Sequence, residues 1–120
     1  MTIILRTCAW LWAAAVTFVS LSPPRYRPDS HLGHGFEHAL AFVLVGLAFG
    51  FAYPKHRRLA TTASVIAIGI IEMLQLLIPG RHARLEDFLV NALATCAGLA
   101  IVALFDWAAQ RLRWRTKTLP

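Results

Sequence analysis

Four apolar stretches, separated by short polar segments, dominate the pattern of this chain. They cover residues 3–21, 36–53, 59–78 and 88–105, and a proline follows each of the first three within two residues. A helix that crosses the hydrocarbon core of a bilayer needs about 20 residues, with a usual range of about 17–25. Proline cannot continue a helix without the loss of a backbone hydrogen bond, so these helix ends are credible. The pattern predicts an all-α integral membrane four-helix bundle, formed as a single domain over residues 1–120.

The composition supports a membrane protein. Of the 120 residues, 58% are hydrophobic, against about 45–50% in a soluble domain, and the mean hydropathy is +0.57. The net charge is +6, but the basic residues form short clusters between the apolar stretches rather than one basic face. We therefore expect membrane lipid as the partner and no nucleic acid, while the oligomeric state is not indicated.

The first apolar stretch has an alternative interpretation as a cleaved signal peptide. Arg6 precedes the apolar residues, and Ser20-Leu21-Ser22 supplies the small residues that a cleavage site needs. Trp10 and Trp12 are unusual in such a segment, and Pro23 follows the cleavage point directly. We prefer a retained membrane span.

The cations are distributed unevenly between the two sides that four spans would define. The larger group consists of Arg6, Lys55, Arg57, Arg58, Arg111, Arg113, Arg115 and Lys117. The smaller group, Arg25, Arg27, Arg81 and Arg84, is accompanied by Asp29, Glu86 and Asp87. The positive-inside rule predicts a protein of the bacterial cytoplasmic (inner) membrane with both termini in the cytoplasm and segments 22–35 and 79–86 outside.

Ionisable and amide residues lie near one end only of three apolar stretches. They are Glu37, His38, Glu72, Gln75, Asp87 and Asn91. An ionisable group in lipid costs several kcal/mol unless it is paired or faces a cavity. In the four-span topology all of these residues fall in the outer leaflet, so we expect them to meet in a polar pocket. His38 is expected within hydrogen-bond or one-water reach of Glu72 or Asp87.

Helical spacing predicts which residues share a face. Glu72 and Gln75 are three residues apart, which places them on one side of a helix. The fourth stretch carries a stripe of polar and small residues, namely Asp87, Asn91, Thr95 and Gly98. Small residues let a neighbouring helix approach closely, and Gly46-x-x-x-Gly50 in the second stretch is a weaker signal of the same kind.

Each of these features also has a purely structural interpretation. Gln75, Asn91 and Thr95 can act as interhelical hydrogen-bond partners, Asp87 can cap a helix, and Glu72 can form a salt bridge with His38 or Arg81. Cys8 and Cys96 are expected as buried free thiols. The histidines at 31, 34, 38 and 82 form no compact ligand motif, so we expect neither a metal nor another cofactor.

The polar positions resemble those of the VanZ-like membrane protein family between about residues 37 and 98. The resemblance is carried by Glu37-His38 with Phe42, by Glu72-Met73-Leu74-Gln75, and by Pro79-Gly80-Arg81 followed by Asp87 and Asn91. It departs from the family pattern at His34 and Gly35, where an acidic residue and a lysine are frequent, and at Ala94, where glycine is frequent. The binding residues that the resemblance implies are Glu37, His38, Glu72, Gln75, Arg81, Asp87 and Asn91.

The resemblance also implies a function at the bacterial envelope, with an effect on susceptibility to the glycopeptide teicoplanin. Our first hypothesis is a protein that binds an envelope or lipid component in the outer-leaflet pocket. The alternative is a small intramembrane enzyme acting on a lipid-linked envelope precursor, with His38 as acid or base and Glu72 or Asp87 orienting it. A third hypothesis gives the polar residues only a structural role. An open cleft reaching His38 and Glu72 would favour a ligand, whereas a closed, fully paired cluster would favour structure.

Overall fold

Four helices make up the protein in a computed structural model that describes residues 2–21, 34–78 and 85–119. They are α1 (Thr2–Leu21), α2 (His34–Ala52), α3 (Arg57–Gln75) and α4 (Leu85–Thr118), and no strand occurs within the described ranges. The predicted all-α class is therefore confirmed, and the helices follow the four apolar stretches.

The helices have the length and the surface of a membrane bundle. By length and composition, α1, α3 and α4 could each cross a membrane, whereas the apolar part of α2, Phe36–Ala52, is shorter. Large apolar side chains cover the outside, with Phe18 74% and Leu104 64% exposed. A soluble monomer rarely exposes contiguous apolar surface of this kind, so the surface fits contact with lipid.

Neighbouring helices in the sequence run in opposite directions. Near the start of α1, the Arg6 side chain donates from Nε to the carbonyl oxygen of Ala52, the last residue of α2, at 3.5 Å. Further along α1, Trp12 Nε1 donates to the carbonyl oxygen of Ala41 at 3.2 Å. Later positions in α1 thus face earlier positions in α2, as expected for helices joined in up-and-down order.

The closest helix contact joins α2 and α4 at two glycines. A Cβ atom built on Gly46 would lie 3.0 Å from the Gly98 Cα atom and would overlap the Thr95 carbonyl oxygen. One turn later, a Cβ on Gly50 would meet Val102 Cβ at 3.0 Å. Backbone therefore touches backbone at this crossing, and both residues of the Gly46-x-x-x-Gly50 motif lie in the interface. This motif was the weaker packing signal in the sequence, yet both of its glycines contact α4.

The α3 helix ends three residues earlier than the sequence pattern predicts. It stops at Gln75, and residues 76–78 form tighter turns, in which Leu76 N donates to Met73 O and Ile78 N donates to Gln75 O, both at 3.2 Å. The residue before a proline is disfavoured in the α region, which explains the change before Pro79. Glu72 consequently lies in the last turn of its helix.

The α4 helix continues well past the predicted end of the fourth stretch at residue 105. Its 34 residues rise about 51 Å at 1.5 Å per residue, which exceeds the hydrocarbon thickness of about 30 Å. Residues 106–118 contain neither proline nor glycine and include several strong helix formers. The basic residues from Arg111 to Lys117 are therefore part of an exposed helical extension, where the Arg111 guanidinium lies 4.6 Å from the centre of the Trp107 ring.

Both cysteines are free, but the expected burial is wrong for Cys8. Cys8 is exposed on α1, and Cys96 is partly buried on α4. An apolar stretch in a membrane protein has faces toward lipid as well as toward other helices, so apolar neighbours in the sequence do not identify a buried position.

The glycine crossing generates a prediction with an internal control. Gly46→Ala should destabilise the bundle by about 1–3 kcal/mol because the added methyl group meets α4 backbone that cannot move aside. Gly69→Ala should be neutral or stabilising, because its Cβ would contact only the Phe88 ring at 3.4 Å and alanine favours helix by about 1 kcal/mol over glycine. Thermal unfolding in detergent measures both variants. Equal melting temperatures for the two would contradict the proposed role of the crossing.

Candidate functional site

Three helices bring buried polar side chains together at one end of the bundle, here called the polar end. It is defined by Ser20 of α1, Glu72 and Gln75 of α3, and Asn91 and Thr95 of α4, all of which are at most 6% exposed. Buried polar groups in a membrane protein require internal partners because lipid offers none. The polar end is therefore a place where specific interactions between helices are required.

Two hydrogen bonds tie α3 to its neighbours at the polar end. Gln75 Nε2 donates to the carbonyl oxygen of Ser20 at 3.0 Å, which joins α3 to the last turn of α1. Asn91 Nδ2 donates to Glu72 Oε1 at 3.3 Å, which joins α4 to α3. Gln75 and Asn91 thus have the structural role that the sequence left open. A ligand-binding role for these two residues remains a prediction.

The Glu72 side chain is almost completely enclosed by its neighbours. Its side chain is 6% exposed and accepts the Asn91 hydrogen bond. This burial favours the structural interpretation of Glu72, and its predicted role in binding stays a prediction. A structural contribution is consequently the better supported role for this carboxyl group.

His38 and Ser20 share a cavity of about 180 Å³ between α1 and α2. Its other walls are apolar and include Trp12, Val16 and Phe42. The His38 ring is partly buried and makes an edge-to-face contact with the Phe42 ring at 6.1 Å between centroids. The Ser20 side chain is 2% exposed, and its Oγ has no hydrogen-bond partner within the described part of the chain. The cavity thus combines an apolar lining with an imidazole, and it lies beside the buried Ser20 hydroxyl group.

The two acidic residues that the sequence assigned to the site at helix starts, Glu37 and Asp87, lie outside the buried network. Glu37 is partly buried in the first turn of α2, and Asp87 is exposed in the first turn of α4. Asp87 follows the stripe of Asn91 in register but is not buried with it, and its predicted role in binding stays a prediction. An acidic side chain in a first turn is stabilised by the positive end of the helix dipole, which accounts for Asp87 there.

Several predicted positions lie outside the described residues, namely Arg81, His31 and His82. The predicted distance between His38 and Glu72 or Asp87 also stays a prediction. Within the described ranges, no group of three or more His, Cys, Asp or Glu residues is placed to hold a metal ion.

Sequence reasoning missed Ser20, which it interpreted only as part of a possible cleavage site. The available signal was depth, because Ser20 near the end of the first stretch and Gln75 near the end of the third fall at the same side of the bundle. The sequence also left Asp106 unassigned, and the structure pairs this residue with Arg57 at the opposite end. Arg57 begins α3, and Asp106 directly follows the fourth apolar stretch. In a four-span topology both residues therefore lie at the same side of the membrane.

The fold and the polar end together define a small multi-pass helical membrane protein. The model of the VanZ/LLP1 family matches residues 3–106, so the chain belongs to the VanZ/LLP1 family and the resemblance found in the sequence is confirmed. No curated protein and no solved structure matches the chain at a significant level.

The hydrogen bond between Gln75 and Ser20 can be tested by removing its donor. Gln75→Leu keeps most of the side-chain volume but loses the link between α3 and α1. Hydrogen bonds between membrane helices contribute about 0.6 kcal/mol on average and up to about 1.7 kcal/mol, so the melting temperature in detergent should fall measurably. Gln110→Leu makes the same chemical change at an exposed position of α4 and serves as the control. A decrease no larger than that of the control would rule out the structural role of Gln75.

Proposed function

We propose that this VanZ/LLP1-family membrane protein binds the polar end of an amphiphilic envelope component in the cavity between α1 and α2. The observation that carries the proposal is the placement of His38 and Ser20 on one otherwise apolar cavity, with the Ser20 hydroxyl buried beside it. Ligand sites are mostly apolar, with a small number of polar groups that fix orientation. An amphiphile has the complementary chemistry, with a tail for the walls and a polar group for His38 and Ser20.

The energetics of Ser20 support an occupied cavity. A buried hydroxyl group without a partner costs about 1–3 kcal/mol relative to one that is hydrogen-bonded. If the Ser20 side chain rotates toward the cavity, a phosphate, hydroxyl or amide group of a ligand would supply the missing partner to Ser20 Oγ. The His38 ring lines the same cavity, and an imidazole has both ring nitrogens as hydrogen-bonding groups.

The proposal includes an orientation, with the polar end at the outer face of the bacterial inner membrane and both termini in the cytoplasm. The opposite end, here called the cationic end, is defined by Arg6, the loop from Pro54 to His56, Arg57 and the exposed extension of α4. Retention of cations on the cytoplasmic side supports this orientation. The α1–α2 cavity then opens where a glycopeptide or an envelope precursor would arrive, which connects the site with glycopeptide susceptibility.

Reporter fusions test the orientation directly. A reporter that is active only in the periplasm should be inactive after Pro120 and active after His82, because an even number of spans keeps both termini on one side. Expression of each fusion is checked with a tag. Strong periplasmic activity at Pro120 would overturn the topology, and with it the assignment of the cavity to the outer face.

If a ligand binds in the cavity, a substitution at His38 should impair function without reducing the stability of the protein. His38→Gln should leave membrane abundance close to normal while the envelope phenotype of a deletion strain, measured as teicoplanin and detergent sensitivity, is no longer complemented. Ala15→Phe should have the same effect by filling the cavity that Ala15 lines. Ala14→Phe, at the adjacent exposed position of α1, is the matched control and should complement.

The membrane abundance of each variant determines how its complementation result is interpreted. Normal abundance with full complementation by both His38→Gln and Ala15→Phe would refute ligand binding in this cavity. Loss of abundance for His38→Gln, together with full complementation by Ala15→Phe, would assign His38 to the structural network instead.

The shared cavity also favours a second candidate function, an enzyme acting on a lipid-linked precursor. Ser20 supplies the hydroxyl nucleophile that the predicted polar set lacked, and His38 is the group that could accept its proton. Ser20→Ala separates the two functions, because it removes a nucleophile while Ser20 Oγ has no hydrogen bond within the described residues to lose. Complete loss of complementation with Ser20→Ala would favour catalysis, whereas substantial complementation alongside a defective His38→Gln would favour binding.

A further inference from the structure

A second and larger cavity, of about 360 Å³, lies between α1, α2 and α3. It extends from Tyr53 and His56 at the cationic end to Val16 and Ile71 in the interior of the bundle. From Leu59 to Ile71, α3 rises about 18 Å at 1.5 Å per residue, which is comparable with one leaflet, half of a hydrocarbon core of about 30 Å. The cavity therefore has the length of a lipid tail in one leaflet.

The larger cavity is separate from the proposed binding site. Val16 and Phe42 line both cavities and form the wall between them. The lining of the larger cavity is mostly aliphatic or aromatic along its interior, where Thr17 and Ser64 are the polar residues, and Tyr53 and His56 line it at the cationic end. The Thr17 hydroxyl donates to the Ala13 carbonyl oxygen of its own helix at 2.8 Å. A molecule held here would be apolar over most of its length.

The larger cavity opens sideways toward lipid. Ala63 and Ala67 of α3 both line it, yet both are exposed on the surface of the bundle. Their small side chains leave a gap that a neighbouring lipid tail can enter without passing through water. An apolar cavity with access to the bilayer is filled most favourably by an acyl chain.

Cations surround the polar mouth of this cavity. Lys55, His56 and Arg58 are exposed around the start of α3, while Arg57 is directed to Asp106 of α4. From α1, the Arg6 guanidinium lies 4.8 Å from the centre of the Tyr53 ring. Lys55 and Arg58 flank the lining residue His56 and its neighbour Arg57 in the sequence, so exposed cations lie near this mouth.

We infer that the larger cavity is a site for an anionic glycerophospholipid of the leaflet at the cationic end. One acyl chain occupies the space between α1 and α3, and the phosphate group lies against Lys55 and Arg58. The charge near the mouth and the shape of the cavity support the same occupant. Basic residues near a membrane surface attract anionic headgroups, and the apolar cavity ends close to these basic residues. The inference is independent of the ligand proposed for the α1–α2 cavity.

The experiment uses the full-length protein, reconstituted in phosphatidylcholine vesicles that contain a minor fraction of phosphatidylglycerol. Lipid that stays bound after detergent release is identified by native mass spectrometry. We expect enrichment of phosphatidylglycerol on the wild-type protein over its fraction in the vesicles. Lys55→Gln with Arg58→Gln should lower the affinity for phosphatidylglycerol by about fivefold for each lost cation.

Two matched controls make the result specific. Arg113→Gln with Arg115→Gln removes the same charge from the exposed α4 extension and should leave the enrichment unchanged. Ala63→Phe fills the cavity and should reduce retention of both lipids, whereas Ala97→Phe, at an exposed position of α4, should not.

The controls define the outcomes that overturn the inference. No enrichment on the wild-type protein, or equal losses in the two charge variants, would mean that only nonspecific surface charge attracts lipid. Normal retention by Ala63→Phe would exclude the cavity as the location of the chain. A dimer in place of a bound lipid, abolished by Ala63→Phe, would assign the cavity to a second copy of the protein.

Discussion

The contact between Gly46 of α2 and Gly98 of α4 is the constraint on which the rest of the bundle depends. At this crossing the two backbones touch, and even one methyl group on either residue would overlap the facing helix. Lipid tails are as apolar as leucine, so burial of apolar surface does not by itself drive membrane helices together. Close backbone approach and specific polar bonds must hold them, and the glycine crossing fixes where α4 presents Asn91 and Thr95.

With α2 and α4 fixed, α3 is held at both of its ends by interactions of different character. At the cationic end Arg57 pairs with Asp106, and at the polar end Asn91 donates to Glu72. Between these two bonds, α3 is less closely packed against α1 and α2, and the larger cavity lies in that space. Because α3 is attached at both of its ends, this chain of 120 residues can form a defined bundle that still contains an unfilled apolar cavity.

The four helices could be predicted from the sequence, because bilayer thickness and proline restrict the possible spans. Most of the buried stripe on α4 could be predicted from helical spacing. Asn91, Thr95 and Gly98 are buried as their spacing predicts. Spacing alone could not show that Asp87 is exposed, since the first turn of a helix can follow the stripe in register and still lie beyond the packed neighbour. The sequence also could not identify Ser20 as a site residue, because its importance comes from the long-range contact with Gln75.

The structure separates two groups of residues that the family pattern presents as one set. Glu72, Gln75 and Asn91 are buried and bonded to neighbouring helices, whereas His38 reaches a cavity. A buried bonded residue preserves the position of the helices, and a cavity-lining residue meets whatever enters. Since Gln75 holds the last turn of α1 through Ser20, the buried group also positions the cavity wall opposite His38. Loss of function at a buried position therefore does not by itself make that residue a ligand contact, because a displaced α1 would deform the cavity just as effectively.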